Sequence, residues 1–118
     1  MRARPEDGAV TAELALGLPL LVAVTAALTW PLAVGVAQVR AVDAARETAR
    51  AVARGDSADQ AVAVGTRIAP AGSRVRVAYD GPDVVVTVAG RVRGPGGVFA
   101  SLPGADVSAL ARTRQEAE

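Results

Sequence analysis

Residues 14–37 of this chain read LALGLPLLVAVTAALTWPLAVGVA. This stretch places twenty-four residues in a row without a charged side chain. A helix of that length is roughly 36 Å long, and the hydrocarbon core of a bilayer is about 30 Å thick. The stretch therefore predicts one transmembrane helix, which we assign to residues 9–37. Transmembrane helices tolerate proline, so we expect Pro19 and Pro31 to kink this helix and not to end it.

The residues that follow Gln38 predict that the helix continues beyond the membrane as an amphipathic helix. Apolar residues recur there at steps of three and four, and charged residues occupy the other faces. The apolar positions are Val39, Val42, Ala45, Ala49 and Val52. We expect this helix to end at Gly55, which has the residue type favoured just beyond a helix C-terminus.

The rest of the chain predicts a short helix and a small sheet, so the fold class is α+β. Ser57 and Gln60 have the spacing of a capping box, which starts a helix that runs to about Ile68. Alternating β-branched residues predict a three-stranded antiparallel sheet, with a hairpin turn at 80–83 and a loop at 94–97. The predicted strands cover residues 74–79, 84–93 and 106–114, and residues 115–118 form a tail. A sheet of three strands is barely stable alone, so we expect the amphipathic helix to cover one of its faces.

The composition argues against an enzyme. The 118 residues include no Cys and no His, and all thirteen basic residues are Arg. The chain therefore lacks thiolate ligands, the usual general base and the lysine of phosphate loops. Its net charge of +1 favours neither nucleic acid nor an acidic substrate. We expect no cofactor, no metal, no nucleic acid and no small-molecule substrate.

Glu13 is the most informative single residue, because its carboxylate adjoins the apolar stretch. Such a charge costs about 2.5–3.5 kcal/mol if it lies deep in the bilayer, and little at the headgroup level. From the physics alone, both positions remain open for Glu13.

The residues Gly8-Ala9-Val10-Thr11-Ala12-Glu13-Leu14-Ala15-Leu16-Gly17-Leu18-Pro19 resemble the N-terminus of the TadE-like minor pilins, or pseudopilins, of tight-adherence pilus systems. This group is a branch of the type IV pilin superfamily. The resemblance implies that a prepilin peptidase cuts between Gly8 and Ala9 and removes a leader of residues 1–8. It also implies a non-enzymatic subunit that works with other pilins and a pilus assembly platform. The stretch from Gln38 to Arg50 is similar to the same family.

The resemblance also implies a role for Glu13, which would become the fifth residue of the mature chain. Cleavage would free an amino group on Ala9, one helical turn away. We expect Glu13 of an incoming subunit to pair with the amine of its neighbour, because neither charge is then left bare among apolar helices. This pairing would set the register between subunits.

Two departures from the pattern refine these expectations. Major Flp-type pilins carry Glu-Tyr after the cut, whereas this chain has Glu13-Leu14, so we favour a minor subunit. The resemblance places residues 38–118 outside the cytoplasmic membrane as a small α+β domain. The positive-inside rule opposes that orientation, because arginines after the stretch, from Arg40 to Arg54, outnumber Arg2 and Arg4.

Two alternatives stay open. A secretory signal peptide cut near Gly35-Val36-Ala37 would release a soluble domain, although the apolar run far exceeds the 7–15 residues or so of a usual signal core. An uncleaved anchor would present the domain as an interaction module. The N-terminal residue of the mature protein separates the three cases.

Overall fold

The computed structural model describes residues 5–94 and 104–115, so the start of the predicted leader, most of the 94–97 loop and the last three residues lie outside the described residues. Two helices precede three strands, which confirms the α+β class. The elements are α1 (Pro5–Ala53), α2 (Ala58–Ile68), β1 (Arg74–Asp80), β2 (Asp83–Val92) and β3 (Ala105–Arg114). The chain forms two compact units, Met1–Leu32 and Ala33–Glu118, called here unit 1 and unit 2. The predicted boundary between residues 37 and 38 concerns the membrane surface and stays a prediction.

The sheet of unit 2 is an antiparallel meander in the order β1-β2-β3. Its central strand carries a row of fully buried valines, Val84, Val86 and Val88. The register places Val86 between Val77 of β1 and Ala111 of β3, so all three strands contribute apolar side chains to the same face. The predicted alternation of Val107, Ala109 and Ala111 with outward residues is confirmed, because Val107 is buried and Ser108 and Leu110 are exposed.

The C-terminal half of α1 packs on this valine face, as predicted, and three of the five predicted apolar positions, Ala45, Ala49 and Val52, are buried there. Val39 is 61% exposed and Val42 only half-buried, so their assignment to the packed face is wrong for Val39 and half right for Val42. The core stripe consists mainly of small residues: Ala41, Ala44, Ala45, Thr48, Ala49, Ala51 and Val52. The physical reason is shape, because the valines of the sheet already fill the space and a close-packed interior leaves room only for small side chains on the helix.

Gly65 of α2 allows a close approach between the two helices. A methyl group added at this glycine would collide with the hydroxyl of Thr48 and would touch Val75 at 3.3 Å. Thr48 is fully buried, and its hydroxyl donates a hydrogen bond of 2.7 Å to the carbonyl of Ala44. The Thr48 hydroxyl is therefore satisfied within α1, and Gly65 leaves it room.

Both predicted helix boundaries between α1 and α2 are confirmed. Gly55 has a φ of 103°, and the N–H groups of Gly55 and Asp56 donate to the carbonyls of Val52 and Ala51 at 3.0 Å each. This is the Schellman arrangement that satisfies the last carbonyls of a helix. Ser57 and Gln60 form the reciprocal capping box at the start of α2.

The side chain of Gln38 hydrogen-bonds to the free edge of β3, a contact that the sequence does not predict. Its side-chain amide donates to the carbonyl of Ser108 at 2.8 Å and accepts from the Ser108 N–H at 3.3 Å. Because both backbone groups of Ser108 point away from β2, Gln38 occupies the position that a further strand would take. The contact joins α1 to β3 across seventy residues of sequence.

Gly65→Ala is expected to destabilise unit 2 by about 1–3 kcal/mol, the usual cost of overpacking a core. Thermal unfolding of the detergent-solubilised chain, followed by circular dichroism, measures this change. The double variant Gly65→Ala, Thr48→Ala removes the colliding hydroxyl and is expected to recover most of the loss relative to Thr48→Ala alone. Equal losses in both backgrounds would contradict the proposed collision.

Gln38→Ala is expected to increase hydrogen exchange of the Ser108 amide by about fivefold, equivalent to a hydrogen bond worth about 1 kcal/mol. Nuclear magnetic resonance of the deuterium-exchanged chain resolves this amide. The amide of Val107 is the internal control, because alternation along β3 directs it toward β2. An unchanged exchange rate at Ser108 would show that the Gln38 contact contributes nothing in solution.

Candidate membrane span and processing site

The surface of α1 in unit 1 is apolar and exposed. Among the described residues, α1 is the one helix that is long and apolar enough to cross a membrane, and only 6% of its most apolar window is buried. The large side chains that are more than half exposed lie on all sides of the helix. In residues 14–32 they are Leu14, Leu16, Leu18, Leu20, Leu21, Val22, Leu28 and Leu32. A helix in the core of a soluble protein would be mostly buried, so this surface favours an apolar surrounding.

The hydroxyl groups within the apolar stretch have partners on the helix itself. Thr25 donates to the carbonyl of Leu21 at 2.8 Å, and Thr29 donates to the carbonyl of Ala26 at 3.0 Å. A hydroxyl without a partner is costly in hydrocarbon, and these two avoid that cost without a second helix. The threonines are therefore compatible with a lipid-exposed helix.

The two prolines lie inside α1, which continues as a helix through both. Each lacks the N–H that would bond to the carbonyl four residues earlier, at Ala15 for Pro19 and at Ala27 for Pro31. Continuation of the helix agrees with the expectation that proline does not end it. The kinks themselves stay predictions.

Gly8, Ala9 and Glu13 lie in the first turns of α1, and all three are exposed. The spacing of four residues places Glu13 one turn after Ala9 on the same side of the helix. Glu13 makes no ion pair with any residue that the structure describes. The helix therefore brings the two predicted site residues together and leaves the carboxylate available.

Packing within the described residues does not explain why position 8 is glycine. A methyl group at Gly8 would meet nothing within 4 Å, and the same holds for Gly17 and Gly35 of α1. None of the three has the positive φ that favours glycine. Glycine inside a helix costs about 1 kcal/mol relative to alanine, and the described contacts of α1 do not account for that cost at any of the three positions.

A groove in unit 2 was not predicted. It has a volume of about 240 Å³ and lies where residues 33–40 of α1 pass the loop after α2 and the end of β2. Arg40 and Arg91 line it together with Val36, Ala71 and Val92. The sequence carries no local signal for this groove, because its lining residues are distant along the chain.

The acidic residues of the hairpin turn have structural partners. Arg112 lies 3.6 Å from both Asp80 and Asp83, and Arg114 lies 3.7 Å from Asp83. Across the described residues, no group of three or more acidic, His or Cys side chains could hold a metal ion. The structure thus defines a small α+β domain whose first helix is long and apolar enough to span a bilayer. No protein-family model matches the chain, and no curated protein or solved structure matches it either.

Proposed function

We propose that this chain is a minor pilin or pseudopilin, a non-enzymatic subunit of a Tad/Flp-type pilus that a prepilin peptidase processes after Gly8. The observation that carries the proposal is the head of α1, where Gly8, Ala9 and Glu13 precede an apolar helix that is largely exposed. Among the described residues, no contact requires glycine at position 8 and no ion pair engages Glu13, and both residues have a use in this function. The peptidase would need Gly8, and assembly would need Glu13.

Membrane insertion is the first step of the proposed function. The exposed leucines of unit 1 favour a single pass through a membrane. The proposal places that pass in the cytoplasmic membrane, with unit 2 outside. Charge counting still opposes this orientation, since Arg40, Arg46, Arg50 and Arg54 follow the apolar stretch. We give the pilin-like leader at residues 1–8 more weight than the charge count, so the proposal keeps unit 2 outside.

Helix geometry disfavours the signal-peptide alternative. Residues 35–37 lie in the continuous α1, Ala37 is buried, and the next residue, Gln38, bonds to β3. A domain released by a cut after Ala37 would lose this buried alanine and the helical turn before Gln38. The apolar run also far exceeds the usual signal core of about 7–15 residues.

In assembly, Glu13 of one subunit would meet the freed Ala9 amine of the next. A charge that enters an apolar helix bundle is tolerated when an opposite charge and hydrogen bonds accompany it. The pair would therefore favour the one axial register in which both charges are neutralised. Other pilins and the assembly platform are the proposed partners.

Gly8→Ala is expected to block cleavage while membrane insertion continues, because the fold has room for the methyl group. The measurement is N-terminal sequencing of the protein recovered from membranes of a host that supplies the peptidase. The unchanged chain should begin at Ala9, and the Gly8→Ala chain at Met1. Gly17→Ala is the matched control, since it adds the same methyl group to an equally open position of α1, and it should still be cut. A mature chain that begins at Gln38 would support secretion, and Met1 in the unchanged chain would support a plain anchor.

Glu13→Ala is expected to abolish incorporation into pili and to leave membrane insertion and cleavage intact. Shearing of cells separates pili from membranes, and immunoblotting of both fractions measures incorporation. Glu6→Ala serves as the control, because it removes a carboxylate from the leader and should not affect the mature subunit. Unimpaired incorporation of the Glu13→Ala chain would rule out the registration role.

A further inference from the structure

The end of unit 2 at which α1 enters carries exposed apolar side chains that the domain core does not use. Val36 is 54% exposed, and Val39, beyond the uncharged stretch, is 61% exposed. Val36 lines the groove, and Pro70, Ala71 and Val92 extend its apolar wall. The apolar surface thus continues from the helix into the folded domain, where water would be an unfavourable neighbour.

Two arginines stand beside this apolar surface. Arg40 lines the groove and has no ion-pair partner among the residues that the structure describes. Arg91 lines it too, and its Nε donates to Asp106 at 3.0 Å, which leaves the rest of a largely exposed guanidinium available. Arg93, just beyond the end of β2, is also exposed. Arg40 and Arg91 thus place two positive charges at the groove, and Asp106 pairs with one of them.

We propose that this groove binds the headgroup of an anionic phospholipid, with the phosphate between Arg40 and Arg91 and the apolar wall against the upper acyl chain. Guanidinium groups bind phosphate oxygens with paired, charge-assisted hydrogen bonds. A lipid satisfies both halves of the groove, whereas a free phosphate would leave the valines in water. The position fits as well, because Arg40 follows the last residue of the uncharged stretch by three positions.

This inference rests on the membrane position of α1 that is part of the proposed function, but it does not need pilus assembly. Unit 2 would then contact the bilayer surface directly through this groove. Arg40, one of the arginines after the apolar stretch, would then bind lipid, in addition to its effect on membrane orientation.

The test uses the full chain, which contains no cysteine. Ala71→Cys, an exposed groove position, carries an environment-sensitive fluorophore, and the labelled chain in a zwitterionic detergent is titrated with phosphatidylglycerol or with phosphatidylcholine. We expect saturable binding of phosphatidylglycerol alone. Arg40→Gln should raise its apparent Kd about fivefold, since an arginine near an anionic surface contributes about 1 kcal/mol. A label at Thr87, on the sheet face away from α1, should not respond.

Arg76→Gln is the matched control, because it removes the same charge from an exposed position of β1 that does not line the groove. Its Kd should change less than twofold, and equal changes in the two variants would reduce the effect to net charge and overturn the inference. Equal responses to both lipids, or a response to inorganic phosphate alone, would also overturn the inference. Binding of a protein partner at the groove without any binding of lipid would overturn it as well.

Vesicle flotation separates this inference from the proposed function. A chain that does not float with phosphatidylglycerol vesicles contradicts both. A chain that floats and shows no lipid-specific response at Ala71 contradicts only the headgroup site. Cleavage after Gly8 is measured independently and bears on the pilin proposal alone.

Discussion

The packing of small residues of α1 on the valines of β2 is the contact on which unit 2 depends. A three-stranded sheet has too little apolar cover to be stable alone, and here one helix supplies that cover. Alanine at positions 41, 44 and 45 lets the helix backbone approach Val84, Val86 and Val88, which are fully buried. A second close contact lies between α1 and α2, where Gly65 leaves room for the Thr48 hydroxyl, which bonds within its own helix.

Because that helix is also the apolar segment, the two units share one continuous element. α1 is apolar on all sides in residues 14–32 and apolar on one stripe in residues 37–52. The change from a uniform to a one-sided pattern occurs near Gln38. This is where a helix leaving a bilayer would begin to meet water on one face and a folded domain on the other. Gln38 fits that place, since its aliphatic stem can stay on the helix while its amide serves the sheet edge.

The sequence predicted most of the architecture because local chemistry decides it. The capping box at Ser57, the helix end at Gly55 and the alternation of the three strands depend on neighbours within a few residues. The packed face of α1 was harder to predict. A hydrophobic pattern predicts burial of the larger Val39 before that of Ala41, but the valine face of the sheet has room only for the smaller residue. The Gln38–Ser108 contact and the groove between Arg40 and Arg91 depend on residues far apart in sequence, and no local pattern encodes them. At the candidate site, Gly8 and Glu13 were identified from the family resemblance. The structure adds that both residues are exposed, and that no contact among the described residues requires glycine at position 8.

The two charges that bracket the apolar stretch set the conditions under which Glu13 can act. Glu13 and Arg40 are twenty-seven positions apart. That separation is about 40 Å of helix, close to the thickness of a bilayer with its headgroups. Under the proposed insertion, each charge would therefore lie beyond one end of the apolar stretch and would not have to enter hydrocarbon. The proposed pairing would take Glu13 out of water only when the Ala9 amine of a neighbouring subunit is present. Because an unpaired buried charge is costly, the carboxylate would then favour paired subunits over single ones.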